Sequence, residues 1–264
     1  PRDTANRESG NMELENKIAL VTGGGSGIGQ AIAERLAADG ATVAVNTRSD
    51  VGQAIADAIG GSFYQADLAS MDATRDLGQR VLADLGRIDI LVNNAGYNHI
   101  APVDEFAEDI FAEMLQVMTI APFQLAKQVL PGMKARGWGR IISIASTHAL
   151  IASPNKSAYA AAKHGIVGFT KSLALEVGEL GITANAICPA FVRTPMTERQ
   201  IAFQIERTGL TEDEVIRTLM VGPSATKRMI QPDEVAALTA YLVSDAARSI
   251  TGTAQLIDAG WTAS

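Results

Sequence analysis

Seven short apolar runs, separated by helix-length stretches, constrain this chain more than any other feature. They lie at 17–22, 41–46, 63–66, 88–92, 140–145, 183–187 and 255–257. The runs are apolar along their length rather than at alternate positions, so both faces of each strand are expected to be buried. Strand, helix and strand in repeated succession form a parallel sheet whose crossover helices lie on both faces. The stretch at 30–39 shows the helical spacing, with Ile32 and Leu36 on one side and Gly40 as its stop. One segment breaks the rhythm. At 193–231 one or two short helices are expected, punctuated by Thr194-Pro195, Thr208-Gly209 and Gly222-Pro223. It is either a surface excursion or a substrate lid, and the lid is preferred because ligands bind at the carboxyl edge of such sheets.

The 264 residues, 47% of them hydrophobic, suffice for one α/β domain with a large core. That domain is expected over 12–264. The polar stretch 1–11 reads as a disordered arm or a cloning remnant, with Met12 a plausible start. A single cysteine, Cys188, excludes a disulfide framework, and His99 and His164 have no partners at metal-ligand spacing, so no metal is expected. A net charge of −7 argues against nucleic acid, which selects a basic face. No apolar run reaches the roughly 18–20 residues of a membrane span, and no signal-peptide core opens the chain. A cytoplasmic protein without membrane contact is expected.

The first run leads directly into Thr22-Gly23-Gly24-Gly25-Ser26-Gly27-Ile28-Gly29 and the first helix. Glycines there allow a tight turn and a close backbone approach, and the helix N-terminus behind them favours a pyrophosphate. The pattern is G-x-x-x-G-x-G, through Gly23, Gly27 and Gly29. Asp67 with Leu68, after the third run, and Asn94-Ala95-Gly96, after the fourth, stand where an adenine or ribose would sit. At the end of the second run an acid would select the 2′-OH of NAD and a base the 2′-phosphate of NADP. The residues there are Thr47 and Arg48, with no acid until Asp50. Arg48 favours NADP(H) over NAD(H), unless it is a solvated surface arginine.

Tyr159 and Lys163 are four residues apart on a helical stretch and share a face, and Ser146 ends the fifth run. A tyrosine with a pKa of about 10 is a poor base at neutral pH. An ammonium about 5 Å away, at an effective dielectric of about 20, favours the phenolate by roughly 3 kcal/mol. Tyr159 can then exchange a proton with an alcohol or carbonyl oxygen that Ser146 holds, while hydride moves at the adjacent carbon.

The glycine turn, Asn93-Asn94-Ala95-Gly96, Ser146 with Tyr159 and Lys163, and Cys188-Pro189-Ala190-Phe191-Val192-Arg193-Thr194 together resemble the short-chain dehydrogenase/reductase family from about residue 14 onward. The resemblance implies one Rossmann-type, doubly wound domain and a homotetramer. It also implies a nicotinamide held by Pro189, Val192 and Thr194, with its ribose at Tyr159 and Lys163. Ala190 replaces a usual glycine. Met118 falls where the family commonly has an asparagine that holds a proton-relaying water. A thioether cannot donate and accepts only weakly, so Met118 reads as core packing.

Within the family the chain is most similar to the D-3-hydroxybutyrate dehydrogenase group. The likeness runs through Ile144-Ala145-Ser146-Thr147-His148, Asn155-Lys156-Ser157-Ala158-Tyr159, the stretch 194–200 and Asp258-Ala259-Gly260-Trp261. It implies a carboxylate gripped by His148, Lys156 and Gln200. Asn98 replaces a usual glutamine, Phe191 a usual tryptophan, and Trp261 closes the pocket. His148 and Lys156 also flank Ser146 and Tyr159 and donate to anions by their own chemistry, although Lys156 also fits an exposed helix start. The expected activity is NAD(P)-dependent interconversion of a small 3-hydroxy and 3-oxo acid. The alternatives are a 3-oxoacyl-carrier-protein reductase, which would favour a basic docking face, a polyol or other secondary-alcohol dehydrogenase, and a dinucleotide-binding module without catalysis.

Overall fold

Each of the seven apolar runs is a strand in the computed structural model, which describes residues 13–263. The expectations for 1–11 and Met12 lie outside the described residues. The strands are β1 (Ile18–Thr22), β2 (Thr42–Thr47), β3 (Ser62–Gln65), β4 (Ile90–Asn93), β5 (Gly139–Ile144), β6 (Ile182–Pro189) and β7 (Ala254–Ile257). They form one sheet in the order β3-β2-β1-β4-β5-β6-β7, with every pair parallel. Alternate residues serve opposite cores. β1 sends Ala19 and Val21 to one and Leu20 to the other, and β4 divides Ile90 and Val92 from Leu91 in the same way. Two dry faces explain why no polar residue alternates through these strands.

The crossovers are α1 (Gly27–Ala38), α2 (Val51–Ala58), α3 (Met71–Leu85), α4 (Glu108–Leu115), α5 (Ala121–Arg136) and α6 (Ser157–Val177). A π-helical turn at Gln116–Ile120 joins α4 to α5. After β6 come α7 (Pro195–Thr208), the three-residue α8 (Glu212–Glu214) and α9 (Pro232–Val243). α1 packs on α9 over one face of the sheet, and α3, α4, α5 and α6 pack among themselves over the other. α1 begins at Gly27 rather than at 30. Ser26 takes the extended N-cap conformation, and Gly27 and Gly29 are absorbed into the first turn despite their poor helix propensity.

The strand order reverses between β1 and β4. The carboxyl ends there open a crevice, the usual ligand position in a doubly wound sheet. The segment 193–231 borders it and differs from expectation. Instead of short helices it holds the 14-residue α7, then α8 running into a second π-helical turn at Val215–Met220. Thr194 caps α7 by accepting from the Thr197 N–H, Pro195 opens it, and left-handed Gly209 ends it. Nothing between those signals breaks the helix. The segment has its own apolar cluster, centred on Ile201, Val215, Met220, Val221 and Met229. Its two ends are pinned together at Val192 and Ile230: the Arg193 N–H donates to the Ile230 carbonyl at 2.8 Å, and the Ile230 N–H to the Phe191 carbonyl at 3.0 Å. Among the described residues no helix is long and apolar enough to cross a membrane, and no group of three or more His, Cys, Asp or Glu could hold a metal ion.

Candidate active site

A cleft of about 720 Å³ lies along the carboxyl ends of the strands, and every residue singled out above as a candidate lines it. Its floor is the glycine turn. Gly23 and Gly27 have φ of +64° and +54°, where a side chain would be strained. A Cβ on Gly29 would stand 2.2 Å from the Gly23 carbonyl oxygen and 2.4 Å from Asn94 Nδ2. Asn94 reaches across the switch point and donates from Nδ2 to the carbonyls of Thr22 and Gly23, at 2.9 and 3.1 Å. Its backbone N–H and that of Ala95 donate to Thr22 Oγ1. Asn94 therefore braces the turn as well as lining the cleft. The first-turn amides of α1 receive no side-chain cap from Ser26. Bare backbone, free amides and a helix N-terminus fit the pyrophosphate of a dinucleotide.

At one end of the cleft stand the carboxyl ends of β2 and β3. Thr47 is buried, and Arg48 is exposed with its carbonyl held by Gln65 Nε2 at 3.0 Å. Among the described residues the Arg48 guanidinium enters no ion pair, which leaves its fork open to an anion. Asp67 accepts from the Ala69 N–H at 3.0 Å through one oxygen, and Leu68 is buried beside it.

At the centre, Ser146 and Lys163 are buried and Tyr159 stands between them at the wall. The Ser146 hydroxyl accepts from the His148 N–H at 3.2 Å. Lys163 Nζ donates to the Ile144 carbonyl at 2.7 Å and lies 5.6 Å from the centre of the Tyr159 ring. Burial pushes the Lys163 ammonium down to about 8. Burial also holds Tyr159 above its usual range, and the neighbouring Ser146 hydroxyl only partly opposes it. Burial is the largest influence on the Tyr159 hydroxyl, and the charge of Lys163 that would favour its phenolate is read from their spacing.

At the far end, Phe191 stacks on Trp261 with ring centres 5.5 Å apart, and the buried His148 ring meets Tyr159 and Trp261 edge-on. His148 Nε2 is 2.9 Å from Ser153 Oγ. Burial, with smaller contributions from Lys156 and His164, pushes His148 down to about 4, so it is neutral at pH 7. Lys156 is half-buried with Nζ 5.8 Å from the Phe191 ring centre, and burial lowers its proton affinity. It is not an exposed helix-start lysine. Asn98 Oδ1 is buried without a partner. Gln200 comes in from α7. Donors that converge beneath an aromatic cover can grip a small anion beside Tyr159.

Several lining residues escaped the sequence reading. Ile110, Glu113 and Val117 present one face of α4 and the π turn to the cleft, and the Tyr97 hydroxyl donates to Glu113 Oε1 at 2.8 Å. Their i, i+3, i+7 spacing was the available signal. Nothing in the sequence pairs Ser153 with His148.

The family model described as short chain dehydrogenase matches residues 17–204. The D-beta-hydroxybutyrate dehydrogenase of Cupriavidus necator is 41% identical over 256 residues, 95% of this chain and 99% of that protein. The enzyme of the same name from Rhizobium meliloti is 42% identical over 94% of this chain and 99% of its own length. Among solved structures, one from Beutenbergia cavernae, assigned as an NAD(P)-dependent gluconate 5-dehydrogenase and holding NADP, superimposes with a TM-score of 0.84. It is 35% identical and covers 97% of this chain and 100% of its own.

Proposed function

We propose that this chain, which belongs to the short-chain dehydrogenase family, interconverts a small 3-hydroxy acid such as 3-hydroxybutyrate and its 3-oxo acid, with NADP(H) favoured over NAD(H). The chain is an oxidoreductase of CH–OH groups that uses a nicotinamide dinucleotide. The glycine turn, Asp67, Leu68 and the 94–96 stretch would hold that dinucleotide, and Pro189, Val192 and Thr194 its nicotinamide end. When bound, the nicotinamide takes or gives the hydride. Arg48, exposed at the cleft end, supports the preference for a 2′-phosphate. In reduction, Tyr159 gives its proton to the ketone oxygen while Ser146 donates a hydrogen bond to the same atom. In oxidation, Tyr159 must first lose that proton. Lys163 supplies the charge that lowers the cost.

One observation carries the substrate reading: His148 meets Tyr159, Lys156 stands by Phe191, and Phe191 stacks on Trp261 along the same cleft, so a carboxylate two carbons from the reacting centre would meet donors. Gln200 and Asn98 complete the grip, and 193–231 serves as the lid. The exposed apolar side chains Ile120 on the π turn, Phe123 on α5 and Leu175 on α6 support a homotetramer, and the reading is of a cytoplasmic enzyme. The test is a panel of both 3-hydroxybutyrate enantiomers, the methyl ester, a polyol and a 3-oxoacyl thioester, each with both cofactors. One charge-assisted hydrogen bond contributes about 1.5–3 kcal/mol, so the acid is expected to exceed its ester by roughly 10- to 150-fold in kcat/KM. An ester or thioester turned over as well as the acid overturns the reading.

A further inference from the structure

Three side chains of the π turn at Gln116–Ile120 touch three different segments: Leu68 and Gly96, which line the cleft, and Ala162 on α6. Gln116 Nε2 donates to the Leu68 carbonyl at 3.2 Å. Thr119 Oγ1 donates to the Ala162 carbonyl at 3.1 Å, one residue before Lys163. Met118 is buried and lies over the bare Cα of Gly96. A carbon built on Gly96 would stand 3.0 Å from Met118 Sδ and 3.8 Å from Lys163 Nζ, so sulfur and ammonium face the same narrow gap. Gly165 lets α6 approach the turn, since a Cβ there would be 3.3 Å from Thr119 Cγ2. The turn is thereby fastened to the helix that carries Lys163, and π turns inside longer helices are often found at functional sites.

We propose that Met118 is a positioning residue for Lys163: its thioether fills the gap over Gly96, keeps water from the ammonium, and so sets the pH range in which Lys163 supports Tyr159. The proposal rests on reading Tyr159 and Lys163 as the acid–base pair. The groups that face Lys163 are few. They are Tyr159 on its own helix, the Ile144 carbonyl from β5 and the Cys188 thiol from β6, itself kept protonated by burial. The π turn presents no titratable side chain. A thioether donates nothing and accepts weakly, so it solvates an ammonium poorly. The depressed proton affinity of Lys163 agrees with this dry setting.

The direction of change follows. A polar side chain at 118 offers the ammonium an acceptor and a path for water. Lys163 then stays cationic to higher pH, and its charge draws the Tyr159 ionisation downward. Leucine keeps the gap apolar and changes neither.

The experiment reads the ionisation of Tyr159 without turnover. The ultraviolet phenolate band of the protein is titrated, and the same titration of Tyr159→Phe is subtracted. The pair of titrations is repeated with Met118→Asn, Met118→Ser and Met118→Leu, each with its Tyr159→Phe partner. In the asparagine and serine variants the Tyr159 transition is expected to fall by about one pH unit, a tenfold change in acidity, while leucine leaves it in place. The acid limb of kcat for oxidation should extend to lower pH in the same two variants, because Tyr159 must lose its proton before it acts as a base. Serine, small and soluble, serves if asparagine does not fold. If both polar variants titrate like leucine and wild type, the proposal fails. It also fails if all three variants shift together in step with lost thermal stability, because packing alone then explains them. A Tyr159→Phe enzyme that keeps its turnover would defeat the acid–base reading instead, and leaves a distinct result from either.

Discussion

Replacing Arg48 should change the choice of cofactor and almost nothing else. The residue is exposed at the end of β2, its backbone is held by Gln65, and its guanidinium makes no ion pair among the described residues. Removing it leaves no buried partner orphaned, so Arg48→Ala should keep stability within about 0.5 kcal/mol. What it loses is a fork for the 2′-phosphate. A charged hydrogen bond contributes about 1.5–3 kcal/mol, which corresponds to a loss of roughly 10- to 150-fold in kcat/KM with NADP. NAD has a hydroxyl at that position and should change by less than about threefold, a shift of some 0.6 kcal/mol. Arg48→Asp should go further, since it repels the phosphate and offers the 2′-OH an acceptor. Because the site is open, the NADP penalty in Arg48→Ala should shrink when wild type and variant are compared at high salt. The assay is initial rate against concentration for each cofactor at two ionic strengths. Equal losses with both cofactors, or no loss with either, would refute the reasoning and return Arg48 to the solvent.

Tyr159→Phe should lower kcat by at least about 10³-fold, near the middle of the range for general acid catalysis, with dinucleotide affinity from fluorescence titration almost unchanged; activity within tenfold of wild type contradicts the mechanism. Gly29→Ala would push a methyl carbon to 2.2 Å from the Gly23 carbonyl oxygen, so dinucleotide binding should weaken by more than tenfold in the same titration. His148 is neutral and buried with its pKa lowered to about 4, against 6.5 when exposed. The unfolded chain therefore takes up this proton first, and stability should fall as pH drops from about 6.5 towards 4, by at most about 3 kcal/mol. Thermal unfolding of wild type against His148→Gln across that window checks the sign; a variant with the same acid slope disproves it. Sedimentation at micromolar concentration should find a tetramer, and a monomer there would contradict the proposal that copies cover the exposed Ile120, Phe123 and Leu175.

Much of the fold was legible because its signals are local. Each strand is apolar along its length, as a strand covered on both faces must be, and all seven fall within two residues of where the sequence puts them. The errors have local causes. β6 runs on to Pro189 because Cys188 and Pro189 still pair with Leu256 and Ile257 of β7, where a proline at a strand end loses little. The π turn was invisible because 116–120 continues the apolar spacing of α4 and α5. An extra residue per turn comes from tertiary anchors such as Thr119 to Ala162, which no local pattern encodes.

The candidate residues of the cleft were legible for a different reason. Ligand chemistry needs particular side chains at strand ends, and strand ends could be counted. What counting could not supply was the balance of forces at each group. Tyr159 and Lys163, four apart on a helix, imply an attraction between phenolate and ammonium, and that is the only interaction the spacing reveals. Their proton affinities also respond to burial and to groups from other elements, Ser146 after β5 and Cys188 on β6. Burial raises the Tyr159 affinity and lowers that of Lys163, and both changes act against the charged pair. The same holds at His148, whose neutrality follows from an enclosure shared with Tyr159 and Trp261 rather than from its neighbours in sequence. Residue type and spacing thus identify which groups meet. The proton affinity with which they meet is set by the enclosure as well as by the pair.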